Sequence, residues 1–200
     1  MSNLLGVILV GGLSRRMGGG DKTLLYLAGQ PMLDHVIKRI GPQITQLVIN
    51  ANGDLSRFAM FNLPLIPDSI PDYAGPLAGI LSAMEYGREA GYSHLVSVSG
   101  DTPFLPLDLV QKLLEPIRKG ADIALASSNG RTHPVVGIWP LFLEKNLRDA
   151  MVHENLRKID FFTARYKTAI IEFEASIVDP FFNINTKEEW AEAEQLLRKV

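Results

Sequence analysis

The chain has no cysteine, which at once removes a disulfide framework, a thiolate zinc site and a thiol nucleophile. It also lacks long apolar runs. The stretch from Leu5 to Val10 is too short for a signal peptide or a membrane span, and no basic region precedes it. Cytosol is therefore the expected location. An excess of one charge is missing as well: 20 basic residues against 22 acidic give a net charge of −2. That balance argues against a protein whose main task is coating nucleic acid or an anionic membrane, so positive charge must be focused locally wherever it is used. No linker-like Pro/Ser/Gly tract, repeat or charge block divides the 200 residues, and one domain is expected. The four histidines, His35, His94, His133 and His153, show no metal-ligand spacing, and no Gly-x-Ser-x-Gly elbow occurs.

What is present is concentrated near the start. Leu9-Val10-Gly11-Gly12-Leu13-Ser14-Arg15-Arg16-Met17-Gly18-Gly19-Gly20-Asp21-Lys22 places a glycine-rich, basic loop directly after an apolar run. Glycines let backbone N–H groups approach phosphate oxygens closely and tolerate the positive φ values that wrap an anion. Arg16 and Lys22 supply positive charge at the two ends of the wrap. The P-loop pattern fails because Asp21 separates Gly20 from Lys22, and the dinucleotide fingerprint fails because Gly11 and Gly12 are adjacent. The plain alternative is a strand-to-helix connector whose charges face water.

Short apolar runs predict strands at 5–10, 46–51, 63–66, 94–99 and 123–127. Helical stripes alternate with them: Met32 to Ile40 after Pro31, Leu77 to Met84 before Gly87, and Leu109 to Ile117 with Asp108 as N-cap. This alternation predicts an α/β fold, a three-layer αβα domain with a mainly parallel, Rossmann-like sheet covered on both faces. Past residue 130 a strand is predicted at 134–139, a helix at 141–151, an ambiguous aromatic segment at 161–166 and a strand at 169–173. Thr186 and Glu189 fit a capping box opening a last helix.

In parallel sheets ligands bind beyond the carboxyl ends of the strands. There the sequence places the glycine loop, Asn50 with Asn52, Asp68, and Gly100-Asp101, so four segments are expected to share one rim. Asp101 precedes Thr102-Pro103 and offers a hard oxygen suited to magnesium, which needs only one or two carboxylates beside waters and phosphates. An Asx-turn is the other reading of Asp101. Gly75 and Gly79 flank a helix start whose N–H groups could meet a ligand, or they simply permit tight packing. Asn50 and Asp68 could read a base edge or ribose hydroxyl, or serve as turn residues.

Taken together, these segments resemble the molybdenum cofactor guanylyltransferases, which join GMP from GTP to molybdopterin and have the fold of nucleotide-diphospho-sugar transferases. The opening pattern is met by Leu9 to Lys22, and the later ones by Gly75 to Gly79, Asp101 to Phe104, His133 to Val135 and Asn183-Ile184-Asn185-Thr186. The opening pattern is shared by many nucleotidyltransferases; the later set narrows the family. Departures are Val10 for a small alanine and Lys187 where proline is common.

The resemblance implies that Leu9, Val10, Gly11, Lys22, Asn50, Asp68 and Asp101 bind the guanine nucleotide, with Gly12 and Gly75 beside them. It implies magnesium on Asp101 and catalytic charge from Arg16, Lys22 and Asp101. Arg157, Lys158, Asn183 and Asn185 fall on the pterin side, so residues 1–105 or thereabouts would serve the nucleotide and 106–200 the acceptor. Expected partners are GTP and molybdopterin, with transient contact to other cofactor-biosynthesis proteins or apo-molybdoenzymes, and neither nucleic acid nor membrane. Rival activities are CTP transfer to the same pterin or nucleotidyl transfer to a sugar phosphate. A rival of another class is a nucleotide-binding regulatory module without catalysis.

Overall fold

The computed structural model describes residues 3–11, 21–71 and 75–198. Gly12 and Arg16, and with them most of the glycine-rich loop, lie outside the described residues. In chain order the elements are β1 (Leu4–Leu9), β2 (Tyr26–Leu27), β3 (Gln30–Pro31), α1 (Met32–Ile40), β4 (Gln46–Asn50), β5 (Leu65–Ile66), α2 (Pro76–Glu89) and β6 (His94–Ser99). There follow α3 (Leu109–Arg118), β7 (Ile123–Ser128), β8 (Arg131–Pro140), α4 (Glu144–His153), α5 (Ile159–Thr163), β9 (Thr168–Glu172) and α6 (Lys187–Leu197).

A seven-stranded sheet of order β5-β4-β1-β6-β8-β7-β9 forms the middle layer, and β2 pairs with β3 separately. Among the described residues of this sheet, β8 runs against its neighbours β6 and β7 and the other pairings are parallel, while the β2–β3 pair is antiparallel. The two-faced burial follows from strand periodicity. Leu4, Ile8 and Val10 enter one core with the apolar stripes of α1 and α3, while Leu5, Val7 and Leu9 enter another with α2, α4 and α5. Helices therefore cover both faces, as the alternation of runs predicts. The last helix, α6, opens on the expected capping box of Thr186 and Glu189, and its Ala193 packs in a satellite core with Leu27, Met32, Phe104 and Ile184.

The structure moves several expected boundaries, among them the strand expected at 134–139, which spans Arg131–Pro140, and it decides one segment that the sequence leaves open. The strand expected at 63–66 shortens to Leu65–Ile66, because Pro64 has no N–H to give a ladder and contributes only its carbonyl, to Ile49 N at 2.9 Å. Gly87 does not end α2, which continues to Glu89; a Cβ there would lie 2.9 Å from Leu5 Cδ2 and 3.0 Å from Leu141 Cδ1, so Gly87 is a packing glycine. Asp108 occupies the N-cap position of α3 without capping it and pairs with Lys112 at 2.9 Å instead. A 3₁₀ turn over Leu141–Leu143 delays α4 to Glu144. The ambiguous aromatic segment is the short helix α5, burying Phe162 and exposing Phe161.

The reversal of β8 has a local cause. Asn129 (φ +50°) and Gly130 (φ +70°) form a two-residue connection between Ser128 and Arg131, the left-handed pair that tight hairpins require. Between Leu125 and Ala126 the β7–β8 register shifts, so that Leu125 faces Gly137 and Ala126 faces His133. The skipped residues include Pro134, which cannot donate to a ladder, and they bulge out of the sheet.

Candidate active site

Parallel register brings the polar strand ends to one edge. Leu9 is level with Asn50 and with Ser99, and Asn50 is level with Ile66. The ladder then runs one step further, through Val10 N to Asn50 O at 3.0 Å and Gly100 N to Leu9 O at 2.9 Å. A Cβ on Gly100 would lie 2.8 Å from Val10 Cγ1 and 3.1 Å from Thr23 Cγ2. The bulk of Val10 is thus taken up against a residue with no side chain.

Asp101 follows directly. It is 9% exposed and its carboxylate is fully engaged. Oδ2 lies 2.5 Å from Lys22 Nζ, and Oδ1 accepts from Ser99 Oγ at 2.5 Å and from Asn183 Nδ2 at 2.8 Å. The backbone of the late segment is tied in as well, through Ile184 N to Asp101 O at 3.1 Å. None of these bonds is the local one of an Asx-turn. Lys22 Nζ also donates to Asn185 Oδ1 at 2.5 Å and Ile184 O at 3.0 Å, and Asn185 Nδ2 donates to Asn183 Oδ1. Lys22, Asp101, Asn183 and Asn185 therefore form one hydrogen-bonded group.

The same group answers whether a metal fits. Asp101 Oδ2, Asn185 Oδ1 and Ile184 O converge on an ammonium, which makes them an oxygen set already arranged around positive charge. One carboxylate and neutral oxygens suit magnesium when the remaining ligands are waters and substrate phosphates. Among the described residues no cluster of three or more His, Asp or Glu could supply an all-protein cage.

A second group holds Asp68. Its Oδ1 accepts from Asn50 Nδ2 at 2.9 Å and its Oδ2 from Asn52 Nδ2 at 2.8 Å, while its N–H donates to Asn52 Oδ1 at 2.9 Å. Asn50 Nδ2 also donates to Ile66 O at 3.1 Å, so both of its amide hydrogens are committed and its role here is to orient Asp68. Gly79 makes this possible: a Cβ there would lie 2.2 Å from Asn50 Oδ1 and 2.8 Å from Leu9 Cδ2. Gly79 is therefore a tight-packing glycine. Gly75, at φ +136°, is the N-cap of α2, and among the described residues its missing Cβ would meet Arg157 O at 4.0 Å. Gly11 is exposed, and among the described residues nothing stands within 4 Å of where its Cβ would be.

The four residues expected on the acceptor side divide. Asn183 and Asn185 line a cavity of about 440 Å³ together with Ser99, Thr102, His133 and Phe181. Arg157 and Lys158 do not line it; Arg157 lies against Gly75 and donates to Asn155 Oδ1 at 3.2 Å, and Lys158 Nζ stands 5.4 Å above the Phe161 ring.

Several residues of the site carry no pattern in the sequence. Ser99 holds Asp101, and Arg57 holds Asp21 at the end of the glycine loop, with Nε 3.1 Å from Asp21 Oδ2 and its other nitrogens on Asp54 O and Asn52 O. His133, Ser128 and Asp179 form a polar chain at the cavity wall. Buried burdens act on this chain: loss of hydration holds the His133 pKa below the usual 6.5, against the pull of Asp179. Asp179 is itself held below the usual carboxylate range; burial opposes that, but the donors Phe181 N–H, Ser128 and Asn129 outweigh it.

Residues 6–167 match the family model of the MobA-like NTP transferase domain. A molybdenum cofactor guanylyltransferase of Bradyrhizobium sp. (strain ORS 278) is 50% identical over 194 residues, covering 96% of this chain and 92% of its own. One from Rhodopseudomonas palustris (strain BisB5) is 47% identical, covering 95% and 92%. Among solved structures, molybdopterin-guanine dinucleotide biosynthesis protein A from Archaeoglobus fulgidus superposes with a TM-score of 0.77 at 23% identity over 98% of this chain and 100% of its own. A CMP:2-keto-3-deoxy-manno-octonic acid synthetase complexed with CTP superposes at 0.73 and 14% identity over 99% and 98%. At these identities the two structures bear on the fold, which is that of the nucleotidyltransferases.

Proposed function

The chain belongs to the molybdenum cofactor guanylyltransferase family of nucleotidyltransferases, and from that premise we propose that it transfers GMP from GTP to the terminal phosphate of molybdopterin. The acceptor phosphate oxygen attacks the α-phosphorus, a new P–O–P bond forms, and pyrophosphate leaves with the electron pair of the broken bond. A phosphate monoester has a second pKa of about 6, so the attacking oxygen is already deprotonated near neutral pH and no general base is needed. Two polyanions must approach each other, and catalysis is a matter of placement and charge cancellation.

The residues divide this work. The backbone at Leu9, Val10 and Gly11, with Gly12 beyond them, receives the nucleotide; Asp68, oriented by Asn50, meets the nucleoside, and Gly75 opens the helix beside it. Lys22 and Arg16 neutralise charge that develops on pyrophosphate. Asp101, with Asn185 and Ile184 O, would hold magnesium, which supplies charge cancellation on phosphate oxygens when bound. Asn183 and Asn185 face the acceptor, and Arg157 and Lys158 offer cations to its phosphate. The nucleotide part then ends near residue 105 and the acceptor part begins near 106.

One observation carries this reading: the end of the glycine-rich loop, at Lys22, is bonded both to Asp101 and to the Asn183–Asn185 segment. On this reading, residues of the nucleotide side and of the acceptor side share a single cation. The test is a panel of the four nucleoside triphosphates with magnesium and molybdopterin, read by pyrophosphate release and by the dinucleotide formed. GTP alone should give product at high kcat/KM. CTP preference would assign the sister activity, turnover of a sugar phosphate instead of the pterin would move the acceptor, and nucleotide binding without any turnover would leave a binding module.

A further inference from the structure

The cavity beside Asn183 and Asn185 carries a polar chain that the proposed transfer leaves unused. His133 lines it near the start of β8, with the Phe181 ring 4.8 Å away, and Phe181 is braced edge-on by Phe173 at 5.4 Å. His133 Nε2 lies 2.8 Å from Ser128 Oγ, and that hydroxyl lies 2.7 Å from Asp179 Oδ1. The Asp179 carboxylate further accepts from Phe181 N at 2.9 Å and Asn129 Nδ2 at 3.1 Å.

These contacts settle where the hydrogens are. A hydroxyl has one proton, and an ionised carboxylate can only accept, so Ser128 donates to Asp179. Ser128 Oγ is left as an acceptor toward the imidazole, and Nε2 must carry the hydrogen. In the neutral ring Nδ1 is then a bare lone pair, and among the described residues it has no hydrogen-bond partner. Burial favours that neutral ring. A lone pair repels a phosphate oxygen and attracts an N–H.

We infer that His133 is a specificity-determining residue for the acceptor, its Nδ1 taking a hydrogen bond from an N–H of the acceptor's planar heterocycle, with Ser128 and Asp179 as positioning residues that fix the tautomer. This rests on the acceptor being a pterin. The cavity wall at His133 thereby reads the ring of that substrate and leaves its phosphate to the cations elsewhere on the rim.

Two measurements on the full chain test it. Steady-state kinetics with GTP, magnesium and molybdopterin compare the wild type with His133→Gln, whose amide reaches the Nε2 position toward Ser128 but has nothing at Nδ1. The acceptor KM should rise about tenfold, the loss expected for one unmade hydrogen bond, with the GTP KM within about twofold. Long-range ¹H–¹⁵N spectra of the wild type should show His133 protonated at Nε2 and bare at Nδ1, with the Nδ1 signal moving when molybdopterin is added and the Ser128→Ala variant losing the fixed tautomer. A proton on Nδ1, or an unchanged acceptor KM in His133→Gln, overturns the inference while leaving the guanylyl transfer intact. The wild-type spectrum decides even if His133→Gln does not fold. A wild type that makes no dinucleotide from molybdopterin sinks the underlying activity, and the inference with it.

Discussion

Lys22 Nζ and Asp101 Oδ2 lie 2.5 Å apart, an ion pair that joins the end of the glycine-rich loop to the end of β6. Both side chains are largely withdrawn from solvent, at 15% and 13% exposure, so the pair is screened less than a surface bridge. Asp101→Ala should leave the sheet intact and reduce turnover on the order of 100-fold or more, the scale seen when one preorganised charge-stabilising group is removed. Far-UV circular dichroism and pyrophosphate release check it; retained turnover removes Asp101 from the chemistry. Lys22→Met should weaken GTP binding about tenfold or more, or about 1.4 kcal/mol, and unchanged affinity in titration calorimetry would contradict it.

Gly79 tests whether Asn50 acts through Asp68. A methyl at Gly79 overlaps Asn50 Oδ1, and the asparagine must move. Gly79→Ala should cost about 1–3 kcal/mol in stability and raise the KM for GTP while leaving the KM for molybdopterin nearly unchanged. An unaltered GTP KM would show that the orientation of Asp68 does not matter to nucleotide binding.

Ser97 offers a change in stability that is separate from the site. Trp139 Nε1 donates to Ser97 Oγ at 2.8 Å, and the hydroxyl donates to Val135 O at 2.6 Å, with Ser97 and Trp139 both fully buried. Ser97→Ala leaves an indole N–H and a carbonyl without partners. The expected cost is about 1–3 kcal/mol, and Tm should fall by roughly 2–4 °C for each kcal/mol. Differential scanning calorimetry measures it.

Acid should destabilise the protein before its carboxylates titrate. Burial lowers the pKa of both His94 and His133 from the ordinary 6.5. Below that value the unfolded chain binds protons that the folded chain refuses, so stability falls as pH drops through about 6.5 toward the lower folded values. Tm recorded between pH 7.5 and 5.5 should decline, and replacing either histidine with Gln should flatten the slope. A Tm independent of pH across this window would count against neutral, partly buried imidazoles.

Most strands were legible because each is an apolar run buried on both faces, and α1, α2 and α3 because their stripes recur at helical spacing. The direction of β8 was also written locally, in Asn129-Gly130, but that pair acts only with strands on both sides, and Pro134 disguises the second one. Gly87 shows the opposite failure: a residue that usually ends helices stays inside one because Leu5 and Leu141 leave no space for a side chain. In the site, Lys22 and Asp101 were legible from loop chemistry and position. Asn183 and Asn185 entered only through family resemblance, since nothing in their spacing says that they reach Lys22. Ser99, Arg57, Ser128 and Asp179 were silent, because a polar residue that orients another is defined by a tertiary contact and has no period or motif.

The bulge around Pro134 gives the cavity beside Asn183 and Asn185 a wall built from residues that skip the ladder to β7. Side chains in a regular ladder are locked to one face or the other, whereas residues released from pairing can be lengthened, shortened or re-aimed without displacing their neighbours. The sheet beneath stays in register through Gly137 to Pro140 against β6. Val136 is fixed in the core and the Val135 carbonyl by Ser97, so the positions at which this wall can change without disturbing the sheet narrow to His133 and Pro134.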